Sequence, residues 1–97
     1  MPAYWIAHVT VIDPEAYKGY QALAPAAFAA HGARFLARGG VHEVLEGPAL
    51  ERHVLIEFPD LAAARACYES VGYQAARARR DGACIAHVVI VEGLPQG

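Results

Sequence analysis

The sequence predicts an α+β domain of element order βαββαβ, a four-stranded antiparallel sheet with two helices on one face. Two observations carry this. Four short segments alternate apolar and other residues with a period of two, the mark of strands. Two longer segments between them repeat apolar residues every three or four positions, the mark of helices. At 97 residues the chain is one domain spanning residues 1–97. Hydrophobic residues make up 56% of it, enough to drive folding, but many are alanines. Trp5, Phe28, Phe35, Phe58 and the five tyrosines must therefore supply a large share of the buried area.

The first strand runs from Ala3 to Val11, rich in aromatic and β-branched residues. Asp13-Pro14-Glu15 opens a helix: Asp13 can cap the free amides, and proline is tolerated at the first helical position. Tyr17, Tyr20, Ala24, Ala27, Phe28 and His31 form its inner stripe. Pro25 is expected to kink or restart the helix near Ala24. Gly32 stops it. Ala33 to Arg38 is the second strand, and Gly39-Gly40 reads as a bulge or bend beyond which Val41 to Glu46 can extend it. After Gly47-Pro48, residues Arg52 to Phe58 form the third strand. Pro59-Asp60 caps a second helix with Leu61, Ala64, Tyr68 and Val71 facing inward, broken at Ser70-Val71-Gly72 before a further turn from Tyr73 to Arg80. Asp81-Gly82 leads into the last strand, Ile85 to Glu92, and residues 94–97 form a frayed tail. This is the order of the ferredoxin-like split βαβ unit.

Two helices cover only one face of a sheet. Tyr4, Ile6, Leu36 and Leu55 are left on the other, an apolar patch that a soluble monomer seldom exposes. A two-fold homodimer with the open sheets facing each other is the expected remedy. The same face carries an unusual polar stripe: His8 on the first strand, Arg34 and Arg38 on the second, His53 and Glu57 on the third, and His87 on the fourth.

Net charge is −2 with a pI near 6.2, which argues against a nucleic-acid surface. The basic run Arg77, Arg79 and Arg80 reads as a solvated helix end. No apolar run is long enough to span a membrane and no secretory leader is visible. Cys67 and Cys84 form neither a CxxC motif nor a disulfide framework, as expected for reduced thiols in the cytoplasm.

Several segments together resemble a bacterial family, domain of unknown function 1330, of the dimeric α+β barrel superfamily. They are Tyr4-Trp5-Ile6-Ala7, Asp13-Pro14-Glu15-Ala16-Tyr17, residues 34–40 (RFLARGG), Glu46-Gly47, Ile56-Glu57-Phe58-Pro59, Tyr73-Gln74-Ala75-Ala76 and Val91-Glu92-Gly93. The resemblance spans nearly the whole chain and implies a ferredoxin-like fold and a dimer. It implies no activity, although related barrel families include cofactor-free monooxygenases, lactone isomerases and haem-degrading proteins. His8 stands where the family pattern has a longer basic residue, and Val71-Gly72 replaces its Pro-Glu.

The residues that can carry chemistry are Arg38, Glu57 and His8. With the second and third strands paired, Arg38 and Glu57 can meet on the open face. Arg38 would then hold an oxyanion while His8 or Glu57 moves a proton. Tyr73, Tyr17 and His53 are candidate ligand-binding residues, with Tyr73 at the pocket rim. His8, His53, His87 and Glu57 lack the spacing of a metal motif, so no metal and no cofactor are expected. The expected function is a small dimer that binds, and can transform, a small organic anion or oxygenated aromatic. The alternative is a non-enzymatic binding or assembly module whose open sheet serves dimerisation; a haem or metal partner using one histidine is a third reading.

Overall fold

A computed structural model describes residues 1–95; Gln96 and Gly97, the end of the expected frayed tail, lie outside the described residues. The chain runs β1 (Ala3–Val11), α1 (Pro14–Ala30), β2 (Arg34–Arg38), β3 (Arg52–Phe58), α2 (Leu61–Glu69), α3 (Val71–Arg79) and β4 (Cys84–Glu92). The sheet is antiparallel, in the order β2-β3-β1-β4. The expected βαββαβ plan holds, with a third helix where a turn was expected.

Each helix start is fixed by a local polar side chain. The Ala16 amide donates to Asp13 Oδ1 at 3.3 Å and the Ala63 amide to Asp60 Oδ1 at 2.8 Å. Ser70 serves two helices with one hydroxyl. Its Oγ donates to the Cys67 carbonyl at 2.7 Å, closing α2, and accepts from the Tyr73 amide at 3.1 Å, opening α3. That double cap turns the expected break into a junction between two helices. Val71, expected to face inward, is instead 88% exposed, because the new helix restarts the phase of the inner stripe. The segment after it is a full helix whose buried residues are Tyr73 and Ala76.

Pro25 does not break α1, which continues to Ala30. Its cost is local: proline has no amide to offer the Gln21 carbonyl. Beyond β2, residues 41–46 form no strand. At Gly39 the backbone turns left-handed (φ 67°), and a Cβ there would come 2.5 Å from an Arg52 guanidinium nitrogen. The Arg52 end can swing aside, so it is the left-handed backbone that favours glycine here.

The core lies between the sheet and the three helices. Trp5, 1% exposed, is its centre. The rings of Tyr73 (5.0 Å) and Phe28 (5.1 Å) meet it edge-on, and Tyr68 (5.7 Å) and Phe58 (6.0 Å) complete the cluster. Among the described residues no helix or strand covers the opposite sheet face. Ile85, Val89 and Val91 are about half exposed there, beside Tyr4, Ile6 and Leu55.

Candidate functional site

Strand register decides which side of the sheet each polar residue serves. On β1 and β3, Trp5, Ala7 and Val9 pair with Ile56, Val54 and Arg52 on the helix side; Tyr4, Ile6 and His8 pair with Glu57, Leu55 and His53 on the open side. Strand β2 does not keep one alternation. Phe35 pairs with Ile56, but Ala37 pairs with Leu55 and Arg38 with Val54, so the register shifts between Phe35 and Ala37. Leu36 is the extra residue of a bulge. A single inserted residue moves every later side chain to the other face.

The expected meeting of Arg38 and Glu57 is therefore overturned. Arg38 crosses to the helix side, where its guanidinium lies 4.3 Å above the Phe35 ring. Glu57 is met instead by Arg34, whose Nε is 3.5 Å from Oε1, on the rim of the open face. His8 stays on the open face with its Nδ1 2.8 Å from His53 Nδ1. The three residues singled out for chemistry thus do not converge, and Arg38 is parted from the other two by the sheet.

What Arg38 joins is a pocket between α1, α3 and the sheet, a cavity of about 50 Å³ floored by Trp5, Ile56 and Phe28. Its polar lining is Tyr17, Tyr20, Gln21, Arg38, Arg52, Tyr73 and Arg80. Tyr73 is fully buried, so it forms the inner wall where a rim had been expected. Arg80 is not the solvated helix end expected of the basic run. It follows Tyr73 and Ala76 on the inner stripe of α3, with its guanidinium 5.0 Å from the Tyr20 ring. His53, expected to bind ligand alongside Tyr17, lies on the far side of the sheet.

The electrostatics are one-sided. Three arginines line the pocket and no carboxylate does. Among the described residues none of the three has an ion-pair partner. Around Tyr73 the hydrogen bonds leave a donor to spare. Tyr20 and Tyr73 hydroxyls are 3.0 Å apart, and Arg80 Nη2 donates toward the Tyr73 oxygen at 3.4 Å. One phenol donates to the other, so the pair retains one uncommitted O–H at the cavity wall. Burial first, and then the neighbouring Tyr73, raise the pKa of Tyr20 well above the usual phenol value, so it keeps its proton. Burial likewise raises Tyr17. The pocket can therefore accept negative charge and donate hydrogen bonds to it, and its floor is a set of aromatic faces.

Arg52, Arg80, Tyr20 and Gln21 were not among the expected site residues. The signal for Tyr20 and Gln21 was their place beside Tyr17 and Ala24 on one helix face. For Arg80 it was the step of seven from Tyr73, which continues a buried helical stripe.

This fold and pocket define a ferredoxin-like α+β domain with a cationic, aromatic cavity beneath its helices. The chain belongs to the family described as Domain of unknown function (DUF1330), whose model matches residues 2–94. Solved structures share the fold at low identity. A protein of unknown function from Rhodopseudomonas palustris is 19% identical with a TM-score of 0.79, over 98% of this chain and 84% of that one. SnoaB, a cofactor-independent oxygenase from Streptomyces nogalater, is 15% identical with a TM-score of 0.65, over 98% and 95%. A dimeric protein of unknown function with a ferredoxin-like fold from Bacteroides fragilis is 13% identical with a TM-score of 0.64, over 95% and 96%. No curated protein matches the chain. Among the described residues no helix is long and apolar enough to cross a membrane.

Proposed function

We propose that this chain is a homodimer whose helix-side pocket binds a small oxygenated aromatic anion and holds it in its ionised form. The observation that carries the reading is the set of Arg38, Arg52 and Arg80 around aromatic walls with no carboxylate to neutralise them. In a chain of net charge −2, three unpaired cations in one cavity call for an anion from outside. The cavity is smaller than the roughly 150 Å³ that encloses a benzene. A single ring therefore enters from the side of Arg38 and Gln21, both exposed, and leaves its anionic group between the arginines.

The chemistry this supports is anion stabilisation. A ligand phenol or enol placed against Arg80 and the free tyrosine O–H gives up its proton to solvent at the exposed pocket mouth more readily than it does in bulk water, because its conjugate base gains charge-assisted hydrogen bonds. Among the residues lining the cavity there is no aspartate, glutamate or histidine, so in this reading Glu57 and His8 take no part as proton acceptors. The neighbour from Streptomyces nogalater is a cofactor-independent oxygenase, and its fold likeness makes an electron-rich bound anion the substrate form to test first. Dimerisation rests on the uncovered face around Val89, and the fold neighbour from Bacteroides fragilis is dimeric.

The test is a thermal-shift screen of paired probes: 3-hydroxybenzoate against 3-hydroxybenzamide, and further single-ring acids against their amides. The acids should raise the melting temperature in proportion to concentration and the amides should not. Equal shifts from acid and amide, or none from either, would refute the reading.

A further inference from the structure

The open face carries a second cluster that the pocket does not use. Its side chains fall in rungs across the strands: Leu55, Ile6 and Val89 form one, and His53, His8 and His87 form the next. Two residues along a strand set the rungs about 7 Å apart. A second copy that buries the apolar rung therefore takes the imidazole rung into the same contact. Two-fold symmetry adds the second copy's own three histidines to that interface.

The imidazole rung keeps its geometry in one charge state only. His8 and His53 meet Nδ1 to Nδ1 at 2.8 Å, a contact that holds one proton whichever ring donates it. Nε2 of His53 is buried and has no hydrogen-bond partner. A proton added to either ring then sets two Nδ1 donors against each other, or leaves an N–H on the buried Nε2 with nothing to accept it. Both arrangements are costly, so the contact is intact while the pair is uncharged. The neighbouring charges do not offset this. His42 adds a further imidazole, its ring 4.3 Å from that of His53. Glu43 and Glu46 border the same cleft, and Glu51 precedes His53 beside Thr10. Among the described residues none of these carboxylates lies within ion-pair distance of a histidine. Glu57, two rungs away, is engaged by Arg34.

We propose that the open face is a proton-sensitive interface between two copies of this chain, closed at neutral pH and opened by mild acid. The inference rests on the homodimer reading above and adds what controls it. Histidine is the side chain that gains charge between pH 8 and 5. In the free chain His8 and His87 are exposed and turn a charge to water. In the dimer the same charges face those of the partner, and like charges across an interface repel. Each imidazole that is charged in the free chain but neutral in the dimer raises Kd about tenfold per pH unit. One such group per chain, doubled by symmetry, gives about 100-fold per unit.

The experiment measures the dimer Kd of full-length protein with no affinity tag, by sedimentation at pH 7.5, 6.5 and 5.5, with circular dichroism to follow the fold. The window lies above the usual range of carboxylates, so it isolates imidazole. Kd should rise at least about 100-fold across it while the fold persists. His8→Thr with His53→Thr should flatten the rise, and so should His87→Thr alone, at an exposed strand position that suits threonine. His31→Gln should leave the rise unchanged, since His31 is tied to the Ala27 carbonyl on α1 at 2.8 Å. A Kd that stays constant with pH, a rise undiminished in the threonine variants, or loss of the fold at pH 5.5 would overturn the proposal and leave the homodimer reading standing. A monomer at every pH would overturn both. The readout is independent of the pocket beneath the helices.

Discussion

Replacing Arg80 with methionine separates binding from folding in the pocket. Methionine keeps an apolar stem of similar length and removes the charge and all five N–H donors. In the free protein the losses are small. The guanidinium lies 5.0 Å from the Tyr20 ring, a contact worth about 0.5–1 kcal/mol. Its hydrogen bond to Tyr73 is long, at 3.4 Å, and its contact with Cys84 Sγ is 3.8 Å. Against these stands relief from holding an unpaired charge half-buried. The net change should stay within about 1 kcal/mol, a fall in melting temperature of no more than about 4–8 °C for a domain of this size. A bound carboxylate or phenolate, in contrast, loses a charge-assisted hydrogen bond worth about 1.5–3 kcal/mol, or about 10- to 150-fold in Kd. Calorimetric titration of 3-hydroxybenzoate into wild type and Arg80→Met reads the difference directly. If the variant binds the acid as tightly as wild type while remaining folded, Arg80 is not part of an anion site.

Three further outcomes follow from the geometry. Deleting Leu36 removes the extra residue of the bulge, so Arg38 should remain on the helix side, seen as a retained NMR contact between residues 38 and 54, at a cost of about 1 kcal/mol from the half-buried leucine; a flip of Arg38 toward Glu57 would contradict the assigned register. The raised pKa of Tyr20 means that the unfolded chain ionises first as pH rises. Stability should thus be full below about pH 10 and fall above it, and Tyr20→Phe should flatten that fall in urea titrations at alkaline pH. Val89→Lys, which puts a charge on the open face opposite Ile6, should convert a dimer into a monomer by light scattering at micromolar concentration, whereas an unchanged mass would move the interface elsewhere.

Much of the fold was legible because its signals are local. Asp13, Asp60 and Ser70 mark helix ends through bonds made within three residues, and the period of two along β1, β3 and β4 maps directly onto their faces. The candidate site was misplaced for a reason equally physical. Arg34, Leu36 and Arg38 alternate perfectly in sequence, so nothing local betrays the bulge; it exists only in the pairing of β2 with β3. One inserted residue carried Arg38 from the expected stripe to the opposite side of the sheet. Arg80 was hidden differently. Its charge suggested solvent, but its phase with Tyr73 and Ala76 pointed inward, and the phase prevailed because the guanidinium could lie over Tyr20. The uncovered apolar sheet face was legible throughout, since counting helices against sheet faces needs no side-chain geometry. His42 could not be placed from sequence, because the loop that carries it has no period.

The central claim is that the ligand sits beneath the helices, not on the open face where the polar stripe first drew attention. Chemical-shift mapping of isotopically labelled protein titrated with 3-hydroxybenzoate tests it most directly. Trp5 is the single tryptophan and lies on the pocket floor, so its indole N–H is an unambiguous reporter. The prediction is a saturable shift of the Trp5 indole and of the Tyr20 and Tyr73 rings, with the backbone amides of His8, Leu55 and Val89 little moved. Shifts confined to those open-face residues, with Trp5 unmoved, would contradict the account.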